Sequence, residues 1–359
     1  MMTDNNGETQ RVIGGVDTHK DVHVAAVLDE LGRLLDTASF ATTTIGYRRL
    51  HRWLCDHGEV LAVGVEGTGS WGAGLARFLR ARAVNVVEVN RPNRQTRRRK
   101  GKSDTIDAEM AARAVRAGDA TAVPKAGDGP VEALRQLRLA RTGAMKARTA
   151  AANQLHSLTD TAPDELRARL RSLSTLQRAR LCARLRPGDV LTPAGAAKRA
   201  LRAVAHRWLA LRDEITELTG DIRHVLDTIA APMLERHGVG YETTGALLCA
   251  AGDNPERLHT EGSYAALCGS TPVRVSSGKT NRHRLNRAGD RQANSALWTI
   301  VMVRIRSRHA PTIAYLERRT ADGLSKREAI RCLKRYVARE IYNDIRTIIA
   351  TNTPQQMAA

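Results

Sequence analysis

The chain has 359 residues, of which 42% are hydrophobic and 26% charged, and its formal net charge is +20. This balance supports packed cores and excludes wholesale disorder. The charge excludes a typical acidic metabolic enzyme and points to a polyanionic partner. At this length two domains are expected, or two with a helical connector.

Of the 57 basic residues, 48 are Arg and 9 are Lys. Guanidinium forks match phosphate oxygens in pairs, although a GC-rich genome produces the same bias. Aromatics make up 3%, which argues against base stacking on single strands as the main activity. The five cysteines, Cys55, Cys182, Cys249, Cys268 and Cys332, form no CxxC pair. Neither a disulfide framework nor a zinc site is expected, and a reducing cytoplasm is the natural compartment, with nucleoid association. There is no apolar run of membrane-spanning length, and the N-terminus lacks an apolar signal core.

Taken in chain order, residues 12–17, 22–29 and 34–43 read as three short strands by their alternation and Val content. Helical spacing covers 45–56. The apolar run 60–65 predicts a buried strand, 71–83 a helix, 84–89 a strand and 104–117 a helix. The order β-β-β-α-β-α-β-α is the ribonuclease H-like pattern, a mixed sheet flanked by helices. The fold class is therefore α/β plus all-α, with a ribonuclease H-like domain over 10–125, a helical coiled-coil region over 131–230 and a C-terminal helical domain over 231–350.

The coiled-coil expectation rests on Leu201, Val204, Trp208, Leu211, Ile215, Leu218, Ile222, Val225 and Ile229, spaced 3-4-3-4. A weaker seam runs through Leu137, Ala140, Ala144, Ala147, Ala151, Leu155 and Leu158, with Pro187 and Pro193 breaking the helices between them. Such seams serve either self-association into a dimer or tetramer, or a hairpin within one chain. Beyond 231, Gly238-Val239-Gly240 reads as a helix-hairpin-helix turn offering amides to a phosphate, or as an ordinary helix end. A polar loop is expected over 270–290, followed by helices over 290–308 and 324–350.

Four carboxylates stand out in this topology. Asp17 ends the first strand, Glu66 ends the fourth, and Asp104 and Asp107 open the last helix on one face. Each alone has a bland role as a turn or helix cap. In the ribonuclease H-like slots they converge, and like charges that close require a cation. Mg²⁺ or Mn²⁺ suits such oxygen donors, and two such ions stabilise in-line attack on a phosphodiester. Just upstream lie Arg91, Arg94, Arg97, Arg98, Arg99, Lys100 and Lys102, with no acid among them. They read as a phosphate clamp beside the metal site, or as a solvated face.

The second constellation is a loop. Ser277 precedes Gly278 and Lys279, amid Arg274, Arg282, Arg284, Arg287 and Arg291. A serine so placed could act as a nucleophile with guanidinium groups holding the phosphate. Its surroundings lack the G-x-S-x-G elbow of serine hydrolases.

Gly15-Val16-Asp17-Thr18-His19-Lys20, Val65-Glu66-Gly67, Lys102-Ser103-Asp104-Thr105-Ile106-Asp107-Ala108, Gly238-Val239-Gly240 and Pro272 to Ser277-Gly278-Lys279 follow in this order. Together they resemble the DEDD insertion-sequence transposases, the IS-one-ten family. The likeness covers roughly 10–125 and 230–345. It implies a RuvC-like domain, a coiled-coil insertion and a C-terminal transposase domain. It implies recombination of double-stranded donor and target DNA guided by a structured non-coding bridge RNA. It also implies a composite site, with Asp17, Glu66, Asp104 and Asp107 acting with Ser277, which becomes linked to DNA. Ser276 is the adjacent alternative. The family often has Lys where this chain has Arg287. Two other functions compete: a metal-only RuvC-like junction nuclease, and a non-catalytic nucleic-acid scaffold. The first leaves the C-terminal domain unused, and the second leaves the four carboxylates unexplained.

Overall fold

A computed structural model describes residues 10–89, 103–278, 280–284 and 286–352. The chain divides into two compact units. One holds Met1–Gly129, Ala251–Tyr264 and Ile349–Ala359; the other holds Pro130–Ala250 and Ala265–Ile348.

The first unit is built on a five-stranded mixed sheet. Strands β1 (Arg11–Thr18), β2 (Val22–Asp29), β3 (Leu34–Ala41), β4 (Glu59–Glu66) and β5 (Val86–Val89) lie in the order β3-β2-β1-β4-β5. The first three are antiparallel neighbours, while β4 runs parallel to both β1 and β5. Helices α1 (Thr44–His57), α2 (Ala73–Arg80) and α3 (Asp104–Arg116) complete the expected order. Period-two alternation divides the side chains between two faces. Val12, Val16, Ala25, Val27, Val63 and Val65 pack on Leu50 and Leu54 of α1 and Leu75 and Leu79 of α2. The other face receives α3, against β1, β2 and β4.

That second contact requires glycine. A Cβ on Gly15 would stand 2.2 Å from the Ala108 carbonyl oxygen, and one on Gly64 2.9 Å from that of Ala111. Bare backbone at these two positions lets α3 lie directly on β1 and β4. Residues 251–264 fasten to the end of this unit: Asn254 Oδ1 accepts from the Ala126 amide at 2.9 Å, and Arg257 Nε donates to the Val123 carbonyl at 2.8 Å.

The second unit begins with a long helical hairpin. Helix α4 (Pro130–Asp160) packs along α7 (Pro193–Leu234), and α5 (Asp164–Arg171) and α6 (Thr175–Ala183) lie between them in sequence. Arg141 Nε donates to Thr219 Oγ1, and Arg207 donates to Gln154 Oε1, so the two long helices run antiparallel. Leu155, Leu166, Leu170, Leu201, Val204 and Trp208 share one core. The heptad seam is thus engaged within one chain.

Its details differ from expectation. Leu211, Leu218, Val225 and Ile229 are half-buried, and burial passes instead to Leu226, Ala230 and Met233. A straight helix drifts about 20° per heptad against a strict seven-residue repeat, so one stripe cannot stay inward over four heptads. Helix α7 also kinks at Ala230, just before Pro232. In α4, Ala140 and Ala147 are exposed, and the inward stripe is Leu134, Ala144, Ala151 and Leu155.

The chain continues through α8 (Tyr241–Ala251), α9 (Glu261–Leu267), β6 (Val273–Ser277), β7 (Thr280–Arg284), α10 (Arg291–Arg306), α11 (Ala310–Ala321) and α12 (Lys326–Asn352). Two expectations are corrected here. The stretch 270–290 contains a two-stranded hairpin, because Val273 and Val275 alternate with polar residues ahead of a turn at Gly278, whose φ is +54°. Helix α11 was not foreseen, although Pro311 in its first turn and Gly323 beyond its end are ordinary boundary signals. Arg304 forks onto Glu340 at 2.7 and 2.9 Å, tying α10 to α12. Among the described residues no helix is long and apolar enough to cross a membrane.

Candidate catalytic site

Asp17 and Glu66 stand at neighbouring strand ends. The parallel register of β1 and β4 runs to Val16 opposite Val65, which puts Asp17 and Glu66 in the next row. Both follow a glycine two residues earlier, Gly15 and Gly64, that faces α3, so alternation turns both carboxylates toward that helix. Thr18 Oγ1 donates to the Glu66 carbonyl at 2.9 Å and ties the two strand ends together.

Helix α3 starts at the same place. Ser103 caps it by accepting from the Ile106 amide, and Asp104 and Asp107 occupy its first turn, where the helix dipole favours negative charge. Asp107 is 2% exposed and Asp17 8% exposed, whereas the side chain of Asp104 is half exposed. Oε1 of Glu66 is also buried.

The tightest donor group is not the one expected. Asp17, His19 and Asp104 each place a donor atom within 4.8 Å of the others, and they are the one such group of three among the described residues. His19 Nδ1 lies 3.9 Å from Asp17 Oδ2, and its Nε2 lies 3.9 Å from Asp104 Oδ1. Glu66 and Asp107 stand outside this group. Carboxylates with no cation between them repel one another. His19 was missed by sequence reasoning, yet its signal was present: it follows Asp17 by two residues, the spacing that returns an extended chain to the same face. The exposed indole of Trp71, in the loop after Glu66, stacks on His19 with ring centroids 6.4 Å apart.

Four carboxylates, those of Asp17 and Asp107 buried, Glu66 half-buried and Asp104 exposed, with the half-buried imidazole of His19, fit a divalent cation rather than an anion or an apolar ligand. Asp17, Asp104 and His19 would hold it, with Glu66 and Asp107 on the same face.

In the second unit Ser277 ends β6 and is exposed, immediately before the turn at Gly278. Ser276 pairs with Asn281 and Ser277 with Thr280, so the two serines face opposite sides of the hairpin. Arg274 is exposed opposite His283, Arg284 is exposed opposite Val273, and Arg282 stands opposite Val275. Arg287 and Arg291 are exposed. Asp290, the carboxylate nearest in sequence, is occupied as the N-cap of α10, accepting from the amides of Gln292 and Ala293 at 2.8 and 2.9 Å.

Gly238 and Gly240 lie between α7 and α8, with Gly238 at a φ of +79°. In that turn the Gly240 amide donates to Thr243 Oγ1 and the Val239 amide to the Arg236 carbonyl. Both amides are committed inside the turn. Arg91, Arg94, Arg97, Arg98, Arg99, Lys100, Lys102 and Lys279 lie outside the described residues.

Two family models match this chain. One, described as the DEDD transposase of IS110, matches residues 14–162 and so takes in all four carboxylates. The other, described as the transposase of the IS116/IS110/IS902 family, matches residues 231–317 and takes in Ser277. The chain belongs to the IS110 family of transposases. No curated protein matches it. As a DEDD transposase it is an enzyme of DNA recombination, and its family implies use of a divalent metal ion. The transposase therefore carries its acidic residues in one matched region and its Ser-Gly-Lys turn in the other.

Proposed function

We propose that this transposase cleaves and rejoins double-stranded DNA by joining a metal-dependent acidic site to a serine nucleophile. Asp17, Glu66, Asp104 and Asp107 are the acidic tetrad, with Mg²⁺ or Mn²⁺ as the ion. The observation that carries this reading is the placement of Asp17 and Glu66 at adjacent parallel strand ends, under the helix turn that bears Asp104 and Asp107. When bound, the metal neutralises charge on the phosphodiester oxygens and so favours in-line displacement.

Ser277 is the proposed nucleophile. Its Oγ–H bond breaks, an Oγ–P bond forms, one P–O ester bond breaks, and the leaving DNA oxygen takes up a proton. Exposure at a tight turn with Arg274 and Arg284 on the same hairpin supports this role. The second family match, over the Ser277 region, favours this reading over a metal-only nuclease.

The working division is a RuvC-like domain over 10–125, a helical region over 131–230 and a C-terminal domain over 231–350. A structured guide RNA selects the DNA, so the net charge of +20 and the basic run from Arg91 to Lys102 serve phosphates rather than base edges. Assembly into a dimer or tetramer brings two DNAs together.

The decisive experiment looks for a protein–DNA adduct that survives denaturation. Ser277→Ala loses it while keeping nucleic-acid and metal binding, and Asp17→Ala loses cleavage altogether. An adduct lost in Ser276→Ala but kept in Ser277→Ala moves the role by one residue. An adduct mapped to a tyrosine overturns the mechanism.

A further inference from the structure

The second unit holds a cavity of about 760 Å³ between the base of the β6–β7 hairpin and helices α11 and α12. Its walls carry six cations, Arg284, Arg318, Arg319, Arg331, Lys334 and Arg335, and one carboxylate, Glu328. That carboxylate is engaged elsewhere, accepting from the Ser325 amide at 3.0 Å and the Ser325 hydroxyl at 2.6 Å in the first turn of α12. Lys334 is 6% exposed. Its ammonium donates to Asn294 Oδ1 at 2.7 Å, and it makes no ion pair with a carboxylate among the described residues. Burial, and then the charge of Arg331, push its pKa down. A buried cation without a counter-charge is costly. Two further lining atoms, Thr271 Oγ1 and Arg319 Nε, are buried without a hydrogen-bond partner among the described residues. An oxyanion in the cavity would give Lys334 a counter-charge and Thr271 Oγ1 and Arg319 Nε a partner, while Arg319 Nη1 keeps its ion pair with Asp322 at 3.1 Å.

The rim adds a second kind of chemistry. Tyr315 and Tyr336 meet edge to face at 5.3 Å, and Tyr336 is 52% exposed. An exposed ring beside a phosphate-seeking cavity is a platform for a nucleobase. In a duplex the base faces are already stacked, so the ligand must present an unstacked base. We propose that this cavity binds a single-stranded nucleic-acid segment, with a phosphate among Lys334, Arg319 and Thr271 and the adjoining base on Tyr336. The volume suits a nucleotide-sized portion of the strand. The inference rests on the nucleic-acid binding in the proposed function, but not on its metal site or its serine. It adds a local single-strand site to a protein whose low aromatic content argues against stacking as its main activity.

The test uses the full chain in EDTA, at salt high enough to suppress non-specific binding. Short fluorescein-labelled oligouridylate, oligothymidylate and a duplex are compared by anisotropy. Lys334→Met should weaken single-strand binding at least about tenfold, the loss expected for a charge-assisted hydrogen bond. Its melting temperature should stay equal or rise, because an unpaired buried charge has been removed. Tyr336→Ala should weaken single-strand binding about tenfold and leave duplex binding unchanged. Thr271→Val weakens it less, and with Tyr336→Ala it carries the test if Lys334→Met does not fold. Photocrosslinks from bromouracil-containing strands should map within α11 and α12. Tighter binding of uridylate assigns the segment to RNA, and tighter binding of thymidylate to DNA. Unchanged affinity in Tyr336→Ala and Thr271→Val, or crosslinks mapping outside this unit, overturns the proposal. The assay runs in EDTA and reads binding alone, so failure of the cleavage chemistry leaves this result readable.

Discussion

His19 stands between Asp17 and Asp104, its Nδ1 3.9 Å from Asp17 Oδ2 and its Nε2 3.9 Å from Asp104 Oδ1. A residue of the β1–β2 connection thereby links the end of a strand to the start of α3. A nitrogen donor among carboxylates favours a transition ion over Mg²⁺. His19→Ala should therefore narrow the affinity gap between Mn²⁺ and Mg²⁺, as measured by titration calorimetry. An unchanged ratio of the two affinities would remove His19 from the coordination sphere. Asp104→Asn should weaken both ions.

Gly15 sets how closely α3 approaches the sheet. Gly15→Ala would push a methyl to 2.2 Å from the Ala108 carbonyl oxygen and 2.3 Å from the Ala112 amide nitrogen, both backbone atoms. Overpacking of this kind costs roughly 1–3 kcal/mol. The expected outcome is a lower melting temperature together with weaker divalent-ion binding, since α3 carries Asp104 and Asp107. Gly69→Ala, where a Cβ meets nothing within 4 Å, is the control and should change neither.

Acid sensitivity is expected from His23. This side chain is fully buried, stacks on Tyr47 with ring centroids 5.7 Å apart, and has no hydrogen-bond partner for either ring nitrogen among the described residues. Burial, with a smaller contribution from His19, lowers its pKa from 6.5 to about 4. Because the folded value lies below the unfolded one, the neutral ring's stability is fully present above pH 6.5 and is lost as pH falls toward 4. The loss is on the order of 3 kcal/mol. His23→Phe keeps the stack and should flatten the stability of the first unit over that window. Urea unfolding at several pH values measures this, and an equal slope in both proteins would refute it.

The helical hairpin leaves part of its seam half-buried. Leu211 and Leu218 are not in the shared core, whereas Leu201 and Trp208 are. Leu211→Asp with Leu218→Asp should lower the oligomeric mass seen by light scattering and abolish pairing of two DNAs before nucleic-acid binding is lost. A folded double mutant with unchanged mass would assign the whole seam to packing within one chain.

Sequence alone carried the sheet unit. Its strands alternate, α1 and α3 open on the capping side chains of Thr43 and Ser103, and Asp17, Glu66, Asp104 and Asp107 fall at element ends where local pattern is informative. The long helices were legible from their apolar spacing, but not which turn faces inward, because helical drift over many turns depends on the partner surface. The β6–β7 hairpin was missed because two five-residue strands of mostly polar residues give little periodic signal.

By itself the sequence determined the kinds of groups present and their order along the chain: four carboxylates, a Ser-Gly-Lys turn and an excess of arginine. Local propensity and alternation act over a few residues, and a sequence pattern records them directly. Only the tertiary structure decided that His19 joins Asp17 and Asp104, that Gly15 and Gly64 admit α3, and that Lys334 is buried among arginines without a carboxylate partner among the described residues. These are contacts between segments distant in sequence. Distance, burial and missing counter-charge arise only when the elements pack, because desolvation and Coulomb energy depend on position in space rather than along the chain.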